Sequence, residues 1–128
     1  MSDEAQIVDP AKKYSDEEII NFSKETFFEL IGCLDVMLKW ISLRPADKID
    51  LLYKKSRMCF VWSLSPKCPE GRRVEILNLA RDCITRCTHI DMLYAKPWKL
   101  KAKILGALGL RAEQEDCFEI VGIANTQV

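Results

Sequence analysis

Apolar residues recur at helical spacing along most of this chain. Ile20, Phe27, Leu34 and Ile41 stand seven apart, with Ile31 and Leu38 between them and Lys24 as one interruption. That spacing gathers them on one stripe of a helix. The segment Ser15-Asp16-Glu17-Glu18 reads as a capping box at its start, the Ser15 hydroxyl and the Glu18 carboxylate each serving the other residue's amide. Three acids in the first turn also suit the positive end of the helix dipole. The pattern predicts one helix over 16–43, closed by Pro45, with a break near Gly32 as the alternative.

Pro45 suits the first turn of a second helix, with Ile49, Leu52, Cys59 and Phe60 inside and Lys54, Lys55 and Arg57 outside. The stretch from Ser65-Pro66 to Gly71 is the plainest loop. A third helix is predicted over 72–94, on a stripe of Val74, Leu77, Ala80, Ile84, Cys87 and Ile90. Pro97 opens a fourth, from Trp98 to about Leu108, whose end Gly106 and Gly109 weaken. Residues 112–116 read as helical. The run 117–123 fits a last helical turn or a short strand; a lone strand has no partner, so helix or a packed tail is expected.

The predicted fold is all-α: a four- to five-helix bundle over 15–123, a flexible acidic arm at 1–14 and a free tail at 124–128. Its core candidates are Ile20, Phe27, Leu34, Leu38, Leu52, Leu77, Ile84, Ile104 and Leu108. With 128 residues, 48% of them hydrophobic and 30% charged, the chain has the size and balance of one globular domain. The polar start lacks the basic and apolar regions of a secretory signal, and no long uncharged apolar run is present. A cytoplasmic protein with access to the nucleus is expected. Its six cysteines then read as reduced, mostly buried thiols.

Charge changes this picture. The formal net charge is zero, yet residues 1–43 carry a net of −5, residues 44–111 a net of +9 and residues 112–128 a net of −4. If the central cations converge on one face, they form a surface for phosphates. The candidate nucleic-acid contacts are Lys54, Lys55, Arg57, Arg72, Arg73, Lys99 and Lys103, with Trp98 stacking a base. The competing expectation is internal neutralisation by the acidic first helix.

Other chemistry is thin. Cys83 and Cys87 share a helix face, but no short Cys-x-x-Cys spacing is present, so buried thiols are expected rather than a metal site. His89 is the only histidine, and nucleophile elbows, phosphate loops and zinc-protease motifs are absent. No catalytic residue and no cofactor is assigned, and the chain is read as a non-enzyme. The C-terminal Thr126-Gln127-Val128 has the form that PDZ domains capture by strand addition, which makes Thr126 and Val128 candidate partner contacts. Residues 98–108 read as amphipathic, a face for the core or for a membrane surface. The leading expectation is a small protein that binds RNA or DNA without sequence specificity. The alternatives are a protein-interaction adaptor, with helix-face docking or self-association, and peripheral membrane binding.

Overall fold

A computed structural model describes residues 8–40 and 42–126, apart from the side chains of 124–126. Its described residues are all-helical, with no strand. They form α1 (Asp16–Ile20), α2 (Lys24–Leu38), α3 (Pro45–Ser63), a 3-10 turn (Glu70–Arg72), α4 (Arg73–Ile90), α5 (Ala95–Ala107) and α6 (Arg111–Thr126). Six α-helices stand where four or five were expected. The difference arises at the first helix and at residues 111–126.

The single helix expected over 16–43 is two helices, and the break lies at Asn21–Ser23 rather than at Gly32. Ser15 forms the capping box read from the sequence. Asn21 ends that short helix, its side-chain amide donating to the Glu17 carbonyl. Ser23 then caps α2, its hydroxyl accepting from the Thr26 amide at 3.1 Å. A break strands backbone carbonyls, and buried ones need donors. The end of α3 and its following turn supply them. Ser65 donates to the Ile20 carbonyl, Lys67 to that of Asn21, and the Trp62 indole to that of Phe22. The break also rotates α1 relative to α2, so Ile19 is fully buried while Ile20 is only half-buried. Ile41, the last residue of the expected seam, lies outside the described residues.

Helix α3 runs through the centre, packed on α1, α2, α4 and α5. Phe27 stacks flat on Trp62, ring centroids 4.1 Å apart, and Asp35 meets Lys55 further along, so α2 and α3 are antiparallel. Ser56 donates to the Ala80 carbonyl at 2.8 Å, and the Cys87 thiol lies 3.5 Å from that of Ile49, which sets α4 antiparallel to α3. Phe27, Leu34, Leu52, Leu77, Ile84 and Ile104 are buried; Leu38 and Leu108 are partly buried against the same core.

Helix α4 stops at Ile90, short of the expected Tyr94, and α5 starts at Ala95 with Pro97 inside its first turn. Leu108 caps α5 and Gly109 follows with a φ of 78°, the left-handed position that closes many helices. The Leu110 amide returns to the Leu105 carbonyl at 2.9 Å. Helix α6 then packs on α5 through Cys117, Ile120 and Val121 against Trp98, Ala102 and Leu105. The ambiguous run 117–123 is thus helical throughout. Of the expected arm, residues 8–14 lie against the bundle: Tyr14 is buried in the core and its hydroxyl donates to the Asp9 carbonyl. Residues 1–7 lie outside the described residues.

Candidate functional site

The cations chosen from the sequence do not converge. Lys55, expected on the outer face of α3, is buried, and its ammonium bonds the Asp35 carboxylate of α2. Helical periodicity turns position 55 toward α2, and a long side chain reaches the carboxylate there. Burial is the largest single influence and opposes its charge, but the Asp35 hydrogen bond and charge, together with the nearby Cys83 and Cys59 thiols, raise the ammonium above the ordinary lysine value. Arg57 is bound on two sides, donating to the Tyr14 carbonyl at 2.8 Å and to Asp16 at 2.6 Å. Lys54 reaches the Pro10 carbonyl, and burial lowers its pKa.

Arg72 and Arg73 sit where the loop after α3 leads into α4, whereas Lys54, Lys55 and Arg57 lie in the middle of α3. Arg72 pairs with Glu75 at 3.2 Å and lies 4.7 Å over the Phe28 ring. Arg73 pairs with Glu70 at 3.6 Å and donates to the Ser65 and Cys68 carbonyls. Arg81 bonds Glu113 of α6 at 2.7 Å. Only Lys99 and Lys103 of the proposed phosphate contacts are exposed and without an ion pair among the described residues. Six of the fifteen Lys and Arg of residues 44–111 pair with carboxylates among the described residues, three of them (Lys55, Arg57 and Arg81) with acids of the flanking segments.

Trp98 is not a stacking platform. It is 8% exposed, packed between α5 and α6, and its indole donates to the Met92 carbonyl at 2.8 Å. Leu100, Ile104 and Leu105 are buried as well, so the apolar face of 98–108 lines the core instead of meeting a membrane. No described helix is long and apolar enough to cross one. The side chains of Thr126 and Val128 lie outside the described residues, although the backbone of α6 extends to Thr126.

Among the described residues no three His, Cys, Asp or Glu side chains converge as a metal site. Cys59, Cys68, Cys83, Cys87 and Cys117 are buried free thiols and Cys33 is half-buried. Burial raises the Cys59 and Cys83 thiols and pushes Cys87 up to about 12, so these sulfurs stay protonated and unreactive. His89 borders only a shallow depression of about 500 Å³ shared with Arg81, Asp82, Thr85, Arg86 and Lys101.

The sequence reading missed the α4–α5 turn. Ile90, Met92, Leu93 and Tyr94 are all exposed, Met92 by 62% and Leu93 by 59%. Single exposed apolar residues are ordinary, but four within five positions are a patch. The turn that carries them is held from both sides. The Trp98 indole takes the Met92 carbonyl and the Asp91 carboxylate accepts from the Leu93 amide at 3.1 Å. Its side chains are therefore presented outward on a fixed backbone.

Tyr94 also borders a groove of about 850 Å³ between the segment 13–17, α3 and the start of α5. Tyr53 is among its lining residues, with Lys96 stacked 4.6 Å above that ring. Since α2 and α4 both run antiparallel to α3, Val36 and Trp40, each more than half exposed, lie toward this same end. A signal was present in the sequence: Ile90-Asp91-Met92-Leu93-Tyr94 holds four large apolar residues but only one polar residue where a turn was needed before Pro97. Comparison with protein-family models, curated protein sequences and solved structures gives no match for this chain.

Proposed function

We propose that this chain is a non-enzymatic helical interaction module that docks proteins through its α4–α5 end. The observation that carries the reading is the set of exposed apolar side chains, Met92, Leu93 and Tyr94, on a turn pinned by Trp98 and Asp91. A pre-ordered apolar display loses little conformational entropy on binding. Full burial of Met92 or Leu93 contributes about 1.5–3 kcal/mol each. The adjoining groove, with Tyr53, Tyr94 and Lys96, adds aromatic and cationic anchors of the kind that dominate interfaces.

The docking reading is preferred to the polyanion reading because four of the seven cations proposed for phosphates, Lys55, Arg57, Arg72 and Arg73, each hold a carboxylate within the fold. The test is affinity capture with the tagged chain and three variants. The docking reading expects specific partners lost with Met92→Ser/Leu93→Ser and kept with Val74→Ser, an equally exposed change at the far end. Partners that survive the double change, or vanish with Arg72→Glu/Arg73→Glu instead, would overturn it.

A further inference from the structure

A second surface on the same molecule complements the docking end in both charge and polarity. Helix α6 packs on the bundle along α5, and its outward face carries Glu115 and Glu119 one turn apart, with exposed Phe118 beside them. The α4–α5 end is apolar and carries exposed cations on both flanking helices: Arg86 precedes Met92, Leu93 and Tyr94 on α4, and Lys96 and Lys99 follow them on α5, while Asp82 lies beside Arg86 and His89, and Asp16, Glu17 and Asp50 line the groove beside Lys96. Arg86, His89 and Lys99 enter no ion pair or hydrogen bond among the described residues, and the one carboxylate in the turn, Asp91, is occupied by the Leu93 amide. With a formal net charge of zero, two copies of the chain do not repel each other.

The two surfaces are also close on each molecule. Gln114 fills the space beside Gly106, and Ile120 and Val121 reach the Trp98 cluster, so α6 runs back toward the α4–α5 turn. Neighbouring complementary patches suit a closed two-fold pair, in which each patch meets the other kind on the partner.

We infer that the occupant of the docking end is a second copy of this chain, the acidic face of α6 lying on the apolar α4–α5 end and its flanking cations in a reciprocal dimer. This rests on the docking reading above and names its partner. Each of the two reciprocal contacts sets one helix face against one turn, a small interface of the kind that gives a weak, concentration-dependent dimer. Its charge component makes it weaken with added salt.

Sedimentation velocity over a concentration series tests this with two charge-reversed chains, Arg86→Glu/Lys99→Glu and Glu115→Lys/Glu119→Lys, each first shown by circular dichroism to be folded. Wild type is expected to shift from monomer to dimer with concentration. Each variant alone should need on the order of tenfold more protein to dimerise, because like charges then face each other. An equimolar mixture of the two should regain dimer, since the reversed charges match again. A wild type that stays monomeric, variants that dimerise like wild type, or a mixture that stays monomeric would each overturn the dimer. If the chain is monomeric yet captured partners still depend on Met92 and Leu93, the docking reading stands and only the self-association falls. Binding of wild type to vesicles of equal phosphatidylcholine and phosphatidylserine, lost with Met92→Ser/Leu93→Ser while no dimer forms, would assign the end to a membrane instead.

Discussion

Trp62 illustrates what a single residue does here. Its ring stacks on Phe27 and its indole nitrogen satisfies the Phe22 carbonyl, so it joins α3 to both α2 and the α1–α2 break. Trp62→Ala is expected to cost about 3–5 kcal/mol, read from denaturant midpoints; a loss under 1 kcal/mol would contradict that central role. The buried thiols give a pH dependence. Their folded pKa values lie above the ordinary 9.0, as burial penalises the thiolate, and Cys87 reaches about 12. The unfolded chain therefore loses these protons first as pH rises. Stability should hold through neutrality and fall between about pH 9 and 12, by up to about 1.4 kcal/mol per pH unit for each such thiol. Lys55, raised by Asp35, acts in the same direction above the ordinary lysine value of 10.5. A urea midpoint unchanged from pH 8 to pH 11 would contradict this. Partial alkylation followed by mass spectrometry should find Cys33, the one thiol that is not buried, modified ahead of Cys59, Cys83 and Cys87.

The helices themselves were largely legible, and their ends were not. Periodicity located α3, α4 and α5 because each carries a long apolar stripe bounded by Pro or a polar loop. The stripe from Ile20 to Leu38, interrupted only at Lys24, carried across Asn21–Ser23, because a heptad pattern records which face is apolar and not whether the backbone continues. What decides the break is donors far along the chain, Trp62, Ser65 and Lys67, which only tertiary contact brings to Ile20, Asn21 and Phe22. Ser23→Ala should therefore cost about 1 kcal/mol by removing the α2 cap, and an unchanged thermal midpoint would mean that the tertiary donors alone hold the break. Gly109→Ala should cost on the order of 1–2 kcal/mol, because φ of 78° is unfavourable for a side-chain-bearing residue.

At the scale of the whole molecule, the linear charge blocks gave a misleading view of the surface. The acidic flanks fold back onto the basic middle through Asp35, Asp16 and Glu113. One dimension records the sign of each block but not which blocks meet. The same fold leaves outside an apolar turn that the stripe pattern had drawn into the third helix, with Ile90 on its inner face. On this account, RNA or DNA titrated at low salt should bind weakly and with a shallow salt dependence, since the cations proposed for phosphates do not share one face. A steep salt slope would return the basic residues to the centre of the function.

The most direct measurement is site-specific photo-crosslinking in cells, with a photoreactive residue placed at Leu93 or, as the control, at Val74. Both positions are about equally exposed and lie at opposite ends of the bundle. A docking end at α4–α5 predicts discrete covalent products from position 93 and none from position 74, and self-association adds one product of twice the 14.7 kDa chain mass. Products from position 74 alone, or none from position 93, would contradict it.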